Sequence, residues 1–333
     1  MDPISQAVVG VTAAKFQKKN NTLLVILIAA TAGMAPDLDI LINSDKNPLL
    51  SITYHRHFTH SFFFIPFGAF LVTAFYYLFL KNKLTFKRIY LISFSAYATH
   101  GLLDACTSYG TLLYWPFSNE RVAWNLISVI DPVFTITLIF FLFFSFFLKK
   151  RIFFFLSIIW ILFYFFLCLI QKNMALSALN ELINIRNHKA TQILVKPSFG
   201  NILLWRTIYA HENKYYIDAV NTFKFSYVCS GTTVIKESPT EILKNFKKDS
   251  VLYRDIKKFI WFSNDYVYFD RKKNMISDIR YAFVPNSDKA LWGIKIDEKN
   301  DQEHVRWYSK NNADNKTSDK FFSLILNENC TKI

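Results

Sequence analysis

Acids and histidines recur through an otherwise apolar stretch of this chain. In order they are Asp37 and Asp39 after Pro36, then His55, Arg56, His57 and His60, then His100 and Asp104, then Asp131 before Pro132. Imidazole and carboxylate groups are ligands for zinc, manganese and iron. At the ends of apolar segments such groups are costly unless they pair or bind something. The chemistry open to them is metal-assisted hydrolysis, in which a bound ion acidifies a water molecule and polarises the bond to be cleaved.

Each group has a structural alternative. His100 and Asp104 are four apart, so they share a helix face. They either bind one ion, or the aspartate orients the imidazole, or they satisfy each other inside a helix bundle. Asp37 and Asp39 are two apart and would point to nearly opposite sides of an α-helix. Pro36 makes the backbone irregular there, which lets both carboxylates turn into one cavity. The alternative is a solvated interfacial loop. His57 and His60 share a face if their stretch is helical, whereas joint use of His55 and His60 needs a loop. Arg56 carries a planar fork suited to clamping an anionic oxygen. Asp131 is either a catalytic carboxylate or the cap of a helix that starts at Pro132. His188, His211 and His304 lie among polar residues and read as surface histidines. No Gly-rich phosphate loop, GxSxG or HExxH occurs, so the case rests on convergence.

The elements that must position these groups read as membrane helices. Apolar runs cover about residues 23–42, 62–80, 89–105, 133–148 and 152–171. Each is near the roughly 20 residues that span a bilayer. Residues 4–17 form a further helix candidate, rich in Ala, Val and Gly; if they cross the membrane and the chain returns through 22–35, Gln6 lies near the site. The basic clusters are Lys15, Lys18 and Lys19; Lys81, Lys83, Lys87 and Arg88; and Lys149, Lys150 and Arg151. They fall on one side if the five runs cross alternately, and that side is the cytoplasm. The opposite loops, 43–61 and 106–132, carry only Lys46, Arg56 and Arg121. Four segments then bring acids and histidines to the outer face. A signal peptide ending near Ala30-Thr31-Ala32 is the rival reading, but residues 1–22 are too long and helix-like for its charged region.

The expected fold is an α-helical polytopic membrane domain, residues 1–172, followed by a small β-rich α+β extracytoplasmic domain, residues 173–333. Phe occurs 35 times and aromatics make up 18% of the chain, concentrated in the first half. In the second half, 174–186 reads as a helix. Strands are expected at 193–195, 203–209, 215–220, 266–269, 279–284 and 291–296, with a helix over 254–262. Arg206 and Arg280 are expected in structural ion pairs, with contact to an anionic substrate as the alternative. The net charge of +14 does not point to nucleic acid, because the basic residues are dispersed and several serve topology. Four cysteines without a CxxC argue against a thiolate zinc site. Cys229 and Cys330 pair if this half lies outside the cytoplasm; two free thiols fit the sequence equally.

The motifs also carry a resemblance. Met1-Asp2-Pro3-Ile4-Ser5-Gln6, Pro36-Asp37-Leu38-Asp39, His55-Arg56, Thr59-His60-Ser61 and His100-Gly101-Leu102-Leu103-Asp104 occur in order. Thr107-Ser108-Tyr109-Gly110-Thr111, Trp115-Pro116-Phe117-Ser118 and Asp131-Pro132 follow. Over about residues 1–170 this closely resembles the bacterial membrane-bound metal-dependent hydrolases, some of which are labelled LexA-binding, inner-membrane hydrolases. Pro197, the stretch 201–206, Tyr215-Tyr216 and Asp278-Ile279-Arg280 resemble the longer members. One departure is His57, where a small residue is common, which leaves His55 and His60 as the better ligands.

Together the residues and the resemblance give one expectation. Asp37, Asp39, His55, His60, His100 and Asp104 bind one or two divalent ions, zinc first, with manganese or iron also fitting. Asp39 or Asp131 acts as base or orients a ligand, and Arg56 meets an anionic substrate. That substrate is a phosphoester or lipid-type molecule at the outer face of the bacterial inner membrane. The alternatives are an ion or proton transporter using the same groups, or a non-catalytic membrane scaffold.

Overall fold

The computed structural model describes residues 1–15, 22–310, 312–328 and 330–332. Lys18 and Lys19, of the first basic cluster, lie outside the described residues. The chain forms two units. One comprises Met1–Ile42, Tyr54–Leu169 and Phe199–Asn201; the other comprises Asn43–Thr53, Ile170–Ser198 and Ile202–Ile333.

The first unit is helical. Its elements are α1 (Pro3–Ala14), α2 (Thr22–Met34), a 3-10 helix at Ala35–Leu41, the end of α3 (Leu49–Tyr54), 3-10 turns at Phe58–His60 and Phe62–Phe64, α4 (Ile65–Leu80), α5 (Phe86–Ala105), α6 (Pro132–Phe147) and most of α7 (Arg151–Ile185). Side-chain caps fix three of the α-helix starts. Asp2 accepts from the Ser5 N–H, Thr85 from Arg88 and Asp131 from Phe134. Proline at the first position of α1 and α6 costs no hydrogen bond there.

Helix α5 is the centre of this unit. Ile89, Ile92, Ala96, Tyr97, His100, Leu103 and Asp104 are buried along it, at the three- and four-residue spacing of one helix face. Small residues let α1, α2 and α5 close together. A Cβ on Gly10 would lie 3.1 Å from the Ala29 carbonyl oxygen and 3.2 Å from both Ala96 Cβ and Gly33 Cα. Among the described residues, three segments are long and apolar enough to cross a membrane: Leu23–Leu41, Phe62–Leu80 and Arg151–Ile185. Helices α5 and α6, both expected as spans, are not among them: α5 because Lys87, Arg88, His100, Asp104 and its hydroxyls make it mixed in polarity, and α6 because it is apolar but only 16 residues long. Phe70, Leu71 and Leu78 on α4, Ile136, Phe143 and Phe147 on α6, and Ile159, Leu162 and Phe166 on α7 are exposed. A soluble monomer rarely exposes apolar faces of this extent.

The second unit contains β1 (Gln192–Pro197), β2 (Leu204–His211), β3 (Lys214–Asn221), β4 (Tyr227–Ile235), α8 (Pro239–Leu243), α9 (Val251–Phe262), β5 (Val267–Asp270), β6 (Met275–Asp278), β7 (Trp292–Lys295), β8 (Arg306–Ser309), α10 (Asn315–Ile325) and β9 (Thr331–Lys332). Five strands form a sheet in the order β1-β2-β3-β4-β9, and four form another in the order β5-β6-β7-β8. All pairs are antiparallel. The end of α7 buries Ala175, Ala178, Leu179, Leu182 and Ile183 against Val195, Trp205, Tyr209, Val220 and Val228 of the larger sheet. The helices expected at 152–171 and 174–186 are one, since Gln171, Lys172 and Asn173 offer no proline or glycine to end it.

One expectation for this unit needs correction, and strands β4, β6, β8 and β9 were not expected. Residues 279–284 are not a strand: the Asp278 carboxylate accepts the Arg280 backbone N–H and turns the chain just after β6. Strand β4 went unexpected because Ser230, Gly231, Thr232 and Thr233 give it a polar middle. Arg206 and Arg280 have structural partners. The Arg206 guanidinium donates to the carbonyls of Ile279, Pro285 and Ser287, and Arg280 to the Asp278 carboxylate and the Phe262 carbonyl. His304 pairs with Asp255 at 2.8 Å. Cys229 and Cys330 are disulfide-bonded.

Lys196 is buried directly across from Arg206 in the β1–β2 register, with its Nζ 3.9 Å above the Tyr281 ring. Burial, and then the charges of Arg206 and Arg280, lower its pKa to about 7. Below that value the amine is charged in both states, and folding bears the full cost of burying it. Between about 7 and the ordinary lysine value of 10.5 the unfolded chain keeps a proton that the folded chain has lost, so stability rises with pH. Lys196→Met should remove that slope and stabilise the unit below neutral pH by about 1–4 kcal/mol. Denaturant unfolding at several pH values checks this. An unchanged pH slope in the variant would refute it.

Candidate metal centre

The 3-10 helix after α2 solves the spacing problem of the two aspartates. Its residues turn by about 120° each, so positions two apart diverge by about 120°, against about 160° on an α-helix. Asp37 Oδ1 lies 3.4 Å from His60 Nε2 and 3.3 Å from His100 Nε2. Asp104 Oδ2 lies 3.2 Å and 3.5 Å from the same two nitrogens. The nitrogens themselves are 2.9 Å apart. His60, His100 and Asp104 have fully buried side chains, and that of Asp37 is 23% exposed.

The far side of each imidazole fixes its tautomer. His100 Nδ1 is 2.5 Å from the Gly33 carbonyl oxygen, which can only accept. His60 Nδ1 is 3.2 Å from Asp39 Oδ2 and 3.0 Å from Thr59 Oγ1, whose own proton goes to Asp39. Both Nδ1 atoms therefore carry the proton, and both Nε2 lone pairs face each other. Second-shell acceptors hold metal-bound histidines in this way. Asp104 Oδ2 is also buried, and its near neighbours besides the two imidazoles include Arg56 Nε at 3.1 Å.

Four donors from three chain segments, two of them on α5, thus surround one point. A tetrahedron with edges near 3.3 Å has its centre about 2.0 Å from each corner, within the range of zinc–nitrogen and zinc–carboxylate bonds. The mixed N/O donor set fits zinc, and manganese or iron as well.

Around this core the other expected residues take distinct places. Asp39 is buried; its Oδ1 is 2.8 Å from His55 Nδ1, and its Oδ2 accepts from the Arg56 backbone N–H at 2.9 Å. Asp37, Asp39 and His55 form a second group of ligand atoms within 4.8 Å of one another. Arg56 has a left-handed backbone (φ +62°) and is buried, with Nε 3.1 Å from Asp104 Oδ2 and Nη1 2.8 Å from Thr107 Oγ1. Its guanidinium is buried against Asp104 and Thr107. His57 packs against Tyr54 and Trp115 and joins neither group. Asp131 is also outside both groups. Its Oδ1 caps α6 and its Oδ2 accepts from the Tyr164 hydroxyl at 2.7 Å.

Sequence reasoning noted Gln6 only conditionally and missed Gly33, Thr59 and Gly101. Gln6 Nε2 donates to Asp104 Oδ1 at 2.9 Å, and the Met1 amino group donates to the same carboxylate oxygen. Gly101 sits one residue after His100, and a Cβ there would lie 2.2 Å from the His60 carbonyl oxygen. Gly101→Ala must push that backbone away and move the His60 ring. It should weaken metal binding by about 10–100-fold, the usual cost of disturbing a ligand's support. Competition with a chelator of known affinity measures this, and wild-type affinity in a folded variant would refute it.

Comparison with known proteins adds lineage to geometry. Residues 1–175 match the family described as YdjM inner membrane protein. The chain belongs to the YdjM inner membrane protein family. Every residue of the acid–histidine cluster lies inside the YdjM match. A relative in Bacillus subtilis (strain 168), "Uncharacterized protein YfhP", is 36% identical over 108 residues, which is 32% of this chain and 32% of that protein. The chain therefore matches about a third of that relative's length. No solved structure matches it. The YdjM description places the chain in the inner membrane and names no reaction.

Proposed function

We propose that this protein is a multi-pass inner-membrane hydrolase that uses a divalent ion, zinc first, at the outer face of the membrane. One observation carries the reading: two buried histidine Nε2 lone pairs face each other at 2.9 Å, flanked by Asp37 and Asp104 carboxylates. Facing lone pairs at that distance repel unless a shared proton or a metal ion binds both, and the two flanking carboxylates complete a metal's donor set. His60, His100, Asp37 and Asp104 would hold that ion. When bound, it would acidify a water and polarise the scissile bond.

The chain's own residues do the positioning. Asp39 and the Gly33 carbonyl hold the imidazoles in register, and Arg56 and Gln6 hold Asp104. Asp37, partly exposed, is the ligand beside which substrate and water enter. A groove of about 470 Å³ lies alongside its 3-10 helix, lined by Met34, Ala35, Leu38, Leu71, Phe75 and Tyr76. Its apolar lining supports a lipid-type phosphoester as the substrate.

Topology follows from charge. Alternate crossing of the apolar segments puts Lys15, the cluster from Lys81 to Arg88 and the cluster from Lys149 to Arg151 in the cytoplasm. The β-rich unit then lies outside it, where a Cys229–Cys330 bond persists. The test is metal content after chelator-free purification, followed by release of headgroups from phospholipid vesicles. Stoichiometric metal with chelator-sensitive release is expected. No metal as purified, and none taken up on reconstitution, would overturn the reading.

A further inference from the structure

We infer that the centre takes a second divalent cation, held by Asp37, Asp39 and His55, with the Asp37 carboxylate shared between the two ions. This rests on the metal-hydrolase reading above and deepens it. Asp37 belongs to both ligand groups. One of its oxygens already faces His60 and His100, and a carboxylate's two oxygens offer about four lone-pair sites. Asp39 is anchored through Oδ2 by the Arg56 N–H and the Thr59 hydroxyl, while its Oδ1 meets only His55 Nδ1 at 2.8 Å among the described contacts. That distance suits two ligands of one small ion, the ion replacing the shared proton.

The two positions differ in access. His60, His100 and Asp104 have side chains with no exposure, whereas those of Asp37 and His55 are each 23% exposed. The inner ion would be tight, and the outer one exchangeable and next to substrate. Two ions on one shared carboxylate suit phosphoester hydrolysis, where they hold the attacking and leaving oxygens of one displacement.

The experiment loads full-length protein in detergent with Mn²⁺ and counts ions per chain in wild type, His55→Ala and His55→Gln. The Gln variant keeps a hydrogen bond to Asp39 and guards against misfolding. Two ions are expected in wild type, one tight and one weak, with an exchange-coupled Mn²⁺ EPR signal. Both variants should keep one ion and lose the coupling. One ion in all three proteins would overturn the second site and leave the hydrolase reading standing. No ion in wild type would overturn both. Loss of both ions from a folded His55→Gln would refute the division into inner and outer sites.

Discussion

His100→Ala should purify with about a tenth or less of the wild-type metal, since deleting a ligand costs more than the roughly 10–100-fold lost with an outer-shell partner. The imidazole is fully buried, and its Nε2 is one corner of the four-donor set. No neighbour can replace it. Gln6 is committed to Asp104, and His57 points toward Trp115. Folding must be checked separately, because alanine also leaves the Gly33 carbonyl without its partner. His100→Gln offers a side chain of closer volume with a donor for that carbonyl, and should lose the metal too. A second readout is the melting temperature. Chelator should lower it in wild type by removing a ligand that binds only the folded state, and should leave both variants unchanged. A His100→Ala protein that keeps wild-type metal would remove the basis for the proposed chemistry.

How much of this centre the sequence revealed depends on how local each signal was. His100 and Asp104 are a helical i,i+4 pair, so their shared face followed from spacing alone. Asp37 and Asp39 needed a backbone other than α-helix; Pro36 signalled that, but the 3-10 form and its angular consequence did not follow from one proline. Asp131-Pro132 has the same composition whether it caps a helix or does chemistry. In the structure Asp131 caps α6 and pairs with Tyr164, a contact 33 residues away that leaves no trace in local pattern. Arg56 shows the same limit of local pattern. Its type suited an anionic substrate, but its buried partner, Asp104, is 48 residues distant. Gly101 was legible only in retrospect, because what forbids a side chain there is the His60 backbone on another segment.

The same contrast runs through the fold. The strands β2 and β3 are dense in aromatic and branched residues and read directly. Strand β4 has four small or hydroxyl residues in its middle and is recognised by its partner, not its composition. The apolar runs gave the helices, but not the fusion of two of them into α7. Nor did they show that α5, the least apolar of the long helices, carries the acid–histidine pair through the centre of its unit.

Cys330→Ser should destabilise the β-rich unit by about 2–5 kcal/mol. The bond joins residues 101 apart in sequence, and closing a loop of that length in the unfolded chain is worth about 4.7 kcal/mol in the chain-entropy model. Little else holds the C-terminal strand. Among the described residues, strand β9 pairs with β4 through Tyr227–Lys332 and Val228–Thr331. The anchored end, Cys229, is buried with Leu204, Ala219, Val284 and Leu324, so its removal would add a packing loss; Cys330 is the cleaner site. Denaturant unfolding with and without reductant gives the measurement. Reductant should weaken wild type by the same amount and leave the variant unaffected, and equal stability of the two proteins would refute the prediction. The bond also reports compartment. A unit facing the periplasm or cell exterior keeps Cys229 and Cys330 oxidised, so thiol alkylation in intact cells should label neither before reduction. Labelling of both in unreduced cells would place this unit in the cytoplasm and, with it, invert the alternating topology and the face at which Asp37 opens.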